Sequence, residues 1–292
     1  MSDSPEVDNR RGALLLVVAA GIFTADVTVL RYLSADVPFA QVIFFRSVCQ
    51  LVIVAVWIAA RKPALFRSSR WPRLILRGLT SLLCWWLYYA SFQRLDLSLA
   101  TTLTFTTSLF TVAMAPLILG ERIGPLRTIA TALGFVGVVL ASGATGFAMD
   151  GGVLLGLGSA VAAAALIFQN RVLARTEHTA TIMVWIGLVA TLGTLPAAAA
   201  GWTEVASRDL LLMTAAGTLA TLGMLLTVEA YRFGEVSALA TFPYVRLIFA
   251  LGAGYVLFGE VASAREVLGA AVIVVCGILA TERRRPPTPR VS

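Results

Sequence analysis

Ten apolar stretches, each about as long as a bilayer is thick, recur along the chain at residues 13–31, 39–60, 73–93, 98–119, 126–144, 152–173, 180–200, 210–231, 237–258 and 266–281. At about 1.5 Å of rise per residue, a run of about 20 residues crosses the roughly 30 Å hydrocarbon layer. Backbone groups in lipid must be satisfied within the segment, so these runs predict helices. A barrel needs short strands of alternating polarity, which the chain lacks. Composition agrees: 58% of residues are hydrophobic and 13% charged, about half the charge of a soluble domain. The expectation is an all-α membrane protein of ten transmembrane helices.

The basic residues orient those helices. With the N-terminus cytoplasmic, sixteen of the 23 Lys and Arg fall in inside segments, among them Arg61, Lys62, Arg67, Arg70 and Arg73. Four fall outside (Arg31, Arg94, Arg208 and Arg265), and Arg46, Arg77 and Arg246 lie within spans. Such a bias places both termini in the cytoplasm of a bacterial-type inner membrane. Scattered in short gaps, these charges read as loop anchors rather than as a nucleic-acid surface. The run that begins at Leu14 carries Asp26 and Thr28 and no clear cleavage site, so it reads as a retained first helix. Cys49, Cys84 and Cys276 fall in apolar runs without CxxC spacing and predict buried thiols.

The chain also repeats itself. Leu99-Ala100-Thr101 precedes an apolar span that ends in Leu119-Gly120-Glu121; Leu239-Ala240-Thr241 precedes one that ends in Phe258-Gly259-Glu260. The offset is 140 residues at the start and 139 at the Gly–Glu pair. Five spans per half is an odd number, so the second half must insert upside down. Inverted repeats suit alternating access around a midplane site. The divisions are a tail at 1–12, repeats at 13–146 and 150–281, and a tail at 282–292.

These residues resemble the drug/metabolite transporter superfamily, EamA type, over essentially the whole chain. The cues are Leu119-Gly120-Glu121-Arg122 closing the fourth span, and Tyr244, Leu247, Ala250, Tyr255 and Phe258-Gly259-Glu260 in the ninth. Arg46 stands where many members carry an arginine. Ser108 departs from the pattern, since many members have proline there. The resemblance implies ten helices, cytoplasmic termini and movement of small metabolites, often as export.

Charges within spans are costly and usually face the bundle interior with a partner. Asp26 and Arg46 sit at similar depth in helices taken as antiparallel neighbours, so an ion pair is expected, either a clamp or a proton-sensitive gate. Arg246 follows Pro243, whose missing N–H breaks the helix near midplane. A guanidinium there suits a carboxylate or phosphate; the alternative is pairing with Glu229 or Asp26. Arg77, near the cytoplasmic end of its span, is expected to snorkel. Trp85, Tyr88, Tyr89 and Phe92 share one helix face. Thr101, Thr104, Ser108 and Thr111, with Thr107 alongside, share another. Each hydroxyl alone reads as packing; beside the aromatic face, they suit an amphipathic cavity. Gln169 and Asn170 form an inner gate or a polar helix end. Gly152 and Gly156 predict close helix approach, and the Gly–Glu pairs predict helix stops.

The expected substrate site is therefore Arg246, Tyr244, Pro243, Trp85, Tyr88, Tyr89, Thr104, Thr107 and Ser108. Asp26, Arg46, Glu229, Gln169 and Asn170 are the expected gate or ion-pair residues. His178 is the only histidine, and no Gly-Lys pair, GxSxG or GxGxxG occurs. No metal, cofactor or enzyme chemistry is expected. The function expected is secondary active transport of a small organic metabolite, an amino acid or a related carboxylated or aromatic compound, by an exporter working by alternating access. Protons are a possible coupling ion, lipid is the surroundings, and a monomer or homodimer is the unit. The competing readings are a lipid-modifying membrane enzyme and a non-transporting receptor or assembly subunit.

Overall fold

A computed structural model describes residues 8–34, 36–95, 102–121, 123–142, 151–259, 261 and 263–281. Among these the fold is helical throughout. The first half contains α1 (Asn9–Leu30), α2 (Phe39–Arg61), α3 (Trp71–Phe92), α4 (Thr107–Leu119) and α5 (Pro125–Ser142). The second contains α6 (Gly151–Ala174), α7 (Thr179–Ala200), α8 (Ser207–Phe233), α9 (Val245–Phe258) and α10 (Ala264–Thr281). These helices fall on the ten apolar runs.

Among the described residues, seven segments are long and apolar enough to cross a membrane, and Pro125–Leu140 is a shorter apolar helix. Two of the seven, Thr102–Leu119 and Val236–Phe258, contain α4 and α9 together with the turns that precede them. In α3 the hydropathy is lowered by Arg73, Arg77 and four Trp and Tyr residues within 85–89.

The fourth helix of each half is broken. In the second half a helical turn, Val236–Leu239, is followed by a 3-10 turn, Phe242–Tyr244, before α9 begins. Pro243 supplies the expected reason, since it cannot donate a backbone hydrogen bond. The first half breaks at Thr106, where no proline stands. There the Thr106 hydroxyl donates to the Leu103 carbonyl at 2.6 Å, competing with the helical backbone pattern. Residues 98–101 of that span lie outside the described residues.

Both broken helices end at a left-handed glycine, Gly120 at φ +66° and Gly259 at φ +67°. Gly120 N–H bonds the Pro116 carbonyl at 3.1 Å and Glu121 N–H the Ala115 carbonyl at 3.4 Å, so the last carbonyls are satisfied.

Helix contacts repeat between the halves. α1 packs on α8 as α6 packs on α3, and α2 meets α8 as α7 meets α3. α1 meets α9 as α6 meets α4. Two contacts map onto themselves, α2 with α7 and α5 with α10. Each of these contacts maps onto another, or onto itself, when each helix is exchanged with the one five places along, as a two-fold relation between halves requires. Among the described residues, the α6–α8 contact has no counterpart of similar extent between α1 and α3. At the α2–α7 contact, a Cβ on Gly187 would lie 3.0 Å from the Leu51 backbone. Gly152 and Gly156 give the predicted close approach: a Cβ on Gly156 would lie 2.7 Å from Leu103.

Candidate solute site

Asp26 on α1 is fully buried and accepts a hydrogen bond from Arg46 Nη2 on α2 at 2.6 Å. The ion pair forms as expected, but not because α1 and α2 lie side by side. Each packs instead on α8, and the long Arg46 side chain reaches across. Where α2 crosses α8, a Cβ on Gly217 would lie 3.3 Å from the Arg46 Cα. Asp26 Oδ2 is thus paired, while Oδ1 is buried with no hydrogen-bond partner among the described residues.

Beside this pair is a cavity of about 140 Å³, counted as room for the centres of water-sized molecules. Its walls come from both halves: Phe23 of α1, Arg46 and Gln50 of α2, Ser81, Trp85 and Trp86 of α3, Ile186 and Thr194 of α7, and Met224 of α8. The walls are chiefly apolar and aromatic, with a few polar groups, the usual character of a small-molecule site. Gln50 is held by donating to the Met183 carbonyl at 2.9 Å.

Arg246 sits just after the break that precedes α9. Its guanidinium lies 5.8 Å from the ring centroid of Phe23, a cavity residue. Asp26, Arg46 and Tyr88 are within its electrostatic reach. Among the described residues no carboxylate is within salt-bridge distance of it. Glu229 is engaged elsewhere, accepting from the Thr179 hydroxyl and lying 3.5 Å from Arg232.

The other expected residues divide into two groups. Trp85 lines the cavity, and Tyr88 meets it edge-on at 6.3 Å between centroids. The side chains of Tyr89 and Phe92 lie outside the described residues. Tyr244 is fully buried away from the cavity, its hydroxyl 3.4 Å from the Thr131 carbonyl and its ring edge-on to Phe105. Ser108 is buried within hydrogen-bonding reach of that hydroxyl. Pro243, Thr104 and Thr107 are half-buried and are not among the cavity walls.

Gln169 and Asn170 face α3 rather than solvent. Gln169 donates to the Thr80 hydroxyl at 3.1 Å, and Asn170 Oδ1 accepts from Arg77 Nε at 2.9 Å. Arg77 corrects an expectation. It does not snorkel: it is 1% exposed, and a second hydrogen bond goes to Ser81. The packing of α6 on α3 closes over it before its side chain can reach the membrane surface.

Four cross-half contacts had no sequence signal, because their partners are more than 100 residues apart. Glu121 accepts hydrogen bonds from the backbone N–H groups of Val236 and Ser237, at 3.0 and 2.9 Å. Arg127 pairs with Glu235 at 2.5 Å and donates to Ser237 Oγ at 3.0 Å. The Glu121 carboxylate therefore caps the helical turn that opens the broken ninth helix.

The model of the EamA-like transporter family matches residues 10–143 and again 150–281. The chain belongs to the EamA-like transporter family. That is a family of transporters, not of enzymes, and its two matches fall on the two five-helix halves. The EamA-like chain is 26% identical over 280 residues to the pseudopaline exporter CntI of Pseudomonas aeruginosa, covering 94% of this chain and 98% of that protein. It is 24% identical over 253 residues to an S-adenosylmethionine uptake transporter of Rickettsia conorii, covering 86% and 85%. It is 26% identical over 283 residues to a riboflavin transporter of Rhizobium johnstonii, covering 95% and 94%. A crystal structure of 18% sequence identity superposes with a TM-score of 0.80 over 92% of this chain and 96% of the other, which establishes a shared fold.

Proposed function

We propose that this EamA-like protein is a secondary transporter of a small organic metabolite that carries a carboxylate, an amino acid or a related compound. In this reading ten helices cross the inner membrane, both termini are cytoplasmic, and the repeats at 13–146 and 150–281 insert in opposite senses. The observation that carries it is the cavity between the two halves, with Arg46 and Trp85 in its wall and Arg246 one ring away. Arg246, Trp85 and Tyr88 hold the solute; Tyr244, Pro243, Thr104, Thr107 and Ser108 join the site as the halves move.

Alternating access follows from the repeat. The cavity is walled by the outer part of α2, from Phe39 to Gln50, so it faces outward in this orientation. The opposite end is held by Glu121 on Val236 and Ser237, by Arg127 on Glu235, and by Arg171 on the carbonyls of Tyr231 and Arg232. Rocking one repeat against the other would release the Glu121 and Arg127 contacts, which join the two repeats, and close the outer end. Asp26, with one oxygen on Arg46 and the other without a partner among the described residues, is the proton-carrying group.

The relatives include both an exporter and uptake transporters, and export is the direction proposed here. The test is flux in proteoliposomes against a panel of amino acids and organic acids, with a proton gradient imposed in either direction. Solute movement driven by the gradient is expected. No flux with any member in either direction overturns the transporter reading, and an unchanged pH dependence in Asp26→Asn removes the proton role.

A further inference from the structure

The charges around the cavity do not balance. Arg46 has Asp26 at 2.6 Å, and Arg246 lies within reach of that same carboxylate. Arg77 has none. Its partners are the neutral Asn170 and Ser81, and the titratable side chain in its electrostatic reach, among the described residues, is Cys84. Yet Arg77 is almost wholly buried, where an uncompensated charge is expensive.

Arg77 is also next to the cavity. Ser81, which accepts its hydrogen bond, is one of the cavity walls, as is Arg46. Among the described residues, three guanidinium groups therefore lie in the cavity wall or one side chain behind it, against a single carboxylate. That leaves an excess of two positive charges. Guanidinium is well suited to carboxylate, which it can bind through two parallel hydrogen bonds.

We infer that the solute carries two anionic groups, and that Arg77 is the specificity-determining residue for the second. This rests on the transporter reading above and narrows its substrate class to dicarboxylates. One carboxylate is held on the Arg246 side, near Trp85 and Phe23. The other reaches Arg77 past Ser81, on the side where α3 meets α6. The bound dianion supplies the counter-charge that the protein withholds from Arg77. A singly charged analogue leaves one guanidinium unpaired, a neutral one leaves two, and both bind more weakly.

The test uses the full chain in nanodiscs, with the fluorescence of Trp85 and Trp86 as the binding signal. Two matched pairs serve as probes, succinate with succinamate and L-glutamate with L-glutamine; each pair differs by one carboxylate. In the native protein at least one dicarboxylate is expected to bind about tenfold more tightly than its monoamide, the scale of a hydrogen bond to a charged group. Arg77→Gln is expected to erase that preference and leave monoamide binding within about twofold. Arg77→Lys, which keeps the charge, is expected to retain part of it. Thermal unfolding of each variant separates lost binding from lost fold. No preference for the dicarboxylate in native protein, including no response to either pair, overturns the inference. So does a preference that survives in folded Arg77→Gln. Flux of monocarboxylates alone would sink the inference while leaving the transporter reading standing.

Discussion

Arg46 holds Asp26 at 2.6 Å across a gap between two helices that each pack on α8, so one ion pair ties the first two helices through a third. Removing Asp26 leaves Arg46 without its counter-charge in the cavity wall, and removing Arg46 leaves Asp26 charged and fully buried. Asp26→Asn is expected to destabilise the protein by about 3 kcal/mol, the usual scale for removing one partner of a buried pair. The double variant Asp26→Asn with Arg46→Gln should recover part of that loss. Denaturation of the four proteins of this cycle in detergent measures the coupling, and simple additivity would show that the two side chains do not depend on each other.

Glu121 is expected to hold its end of the bundle shut, the cytoplasmic end in the orientation proposed above. Glu121→Ala removes the acceptor for Val236 N–H and Ser237 N–H and should cost about 1–2 kcal/mol, the range for a lost helix cap. It should also open the seam. In a background where Cys49, Cys84 and Cys276 are replaced, a reporter placed by Ser237→Cys should react faster with a water-soluble thiol reagent once Glu121 is Ala. Equal labelling rates would mean that the cap does not gate access.

His178 caps α7, with its Nδ1 accepting from Ala180 N–H at 3.1 Å and its ring stacked on Trp57. Only the neutral imidazole can accept there. Burial, and then the Arg232 charge nearby, hold its pKa below the ordinary 6.5. The folded value is thus lower than the unfolded one, so the unfolded chain binds the extra proton first. The stability from this group is complete above about pH 6.5 and falls as pH drops through the folded value. His178→Asn keeps a capping acceptor without the titration. Its melting temperature should change less between pH 7 and pH 5 than that of the native protein, and identical profiles would rule out this role.

Gly120 and Gly259 should be equally costly to replace. A Cβ at either would meet nothing within 4 Å, so the penalty of Gly120→Ala or Gly259→Ala is backbone strain alone, about 1–2 kcal/mol. Asn at the same positions should recover part of it, since Asn tolerates the left-handed region. Unfolding in detergent is the check. A loss well under 1 kcal/mol at either site would mean that the helix end relaxes into another turn.

The fold was largely legible because its signals are local. A bilayer-length run, Pro243 and a Gly before Glu121 or Glu260 each state their consequence within a few residues, and the ends of α2, α6 and α8 fall close to the apolar runs that foretold them. The break at Thr106 was not legible, because it depends on one hydroxyl choosing a carbonyl over solvent. The site was legible only in part. Intramembrane charge marked Asp26, Arg46 and Arg246, and the aromatic stripe marked Trp85, but the cavity walls at Gln50, Ser81 and Thr194 are ordinary polar residues in sequence.

The sequence by itself determined helices, repeat and the pairing of Asp26 with Arg46, since each follows from hydropathy, spacing or the cost of charge in lipid. Tertiary structure alone decided that the pair is bridged over α8, that Glu121 clasps Val236 and Ser237 in the other half, and that Arg77 is sealed in. Six residues from a helix end, an arginine can reach water unless something covers it. Here α6 does, and Asn170 takes its hydrogen bond; which helix lies over which is settled by packing between segments about 90 residues apart, where no local pattern reaches.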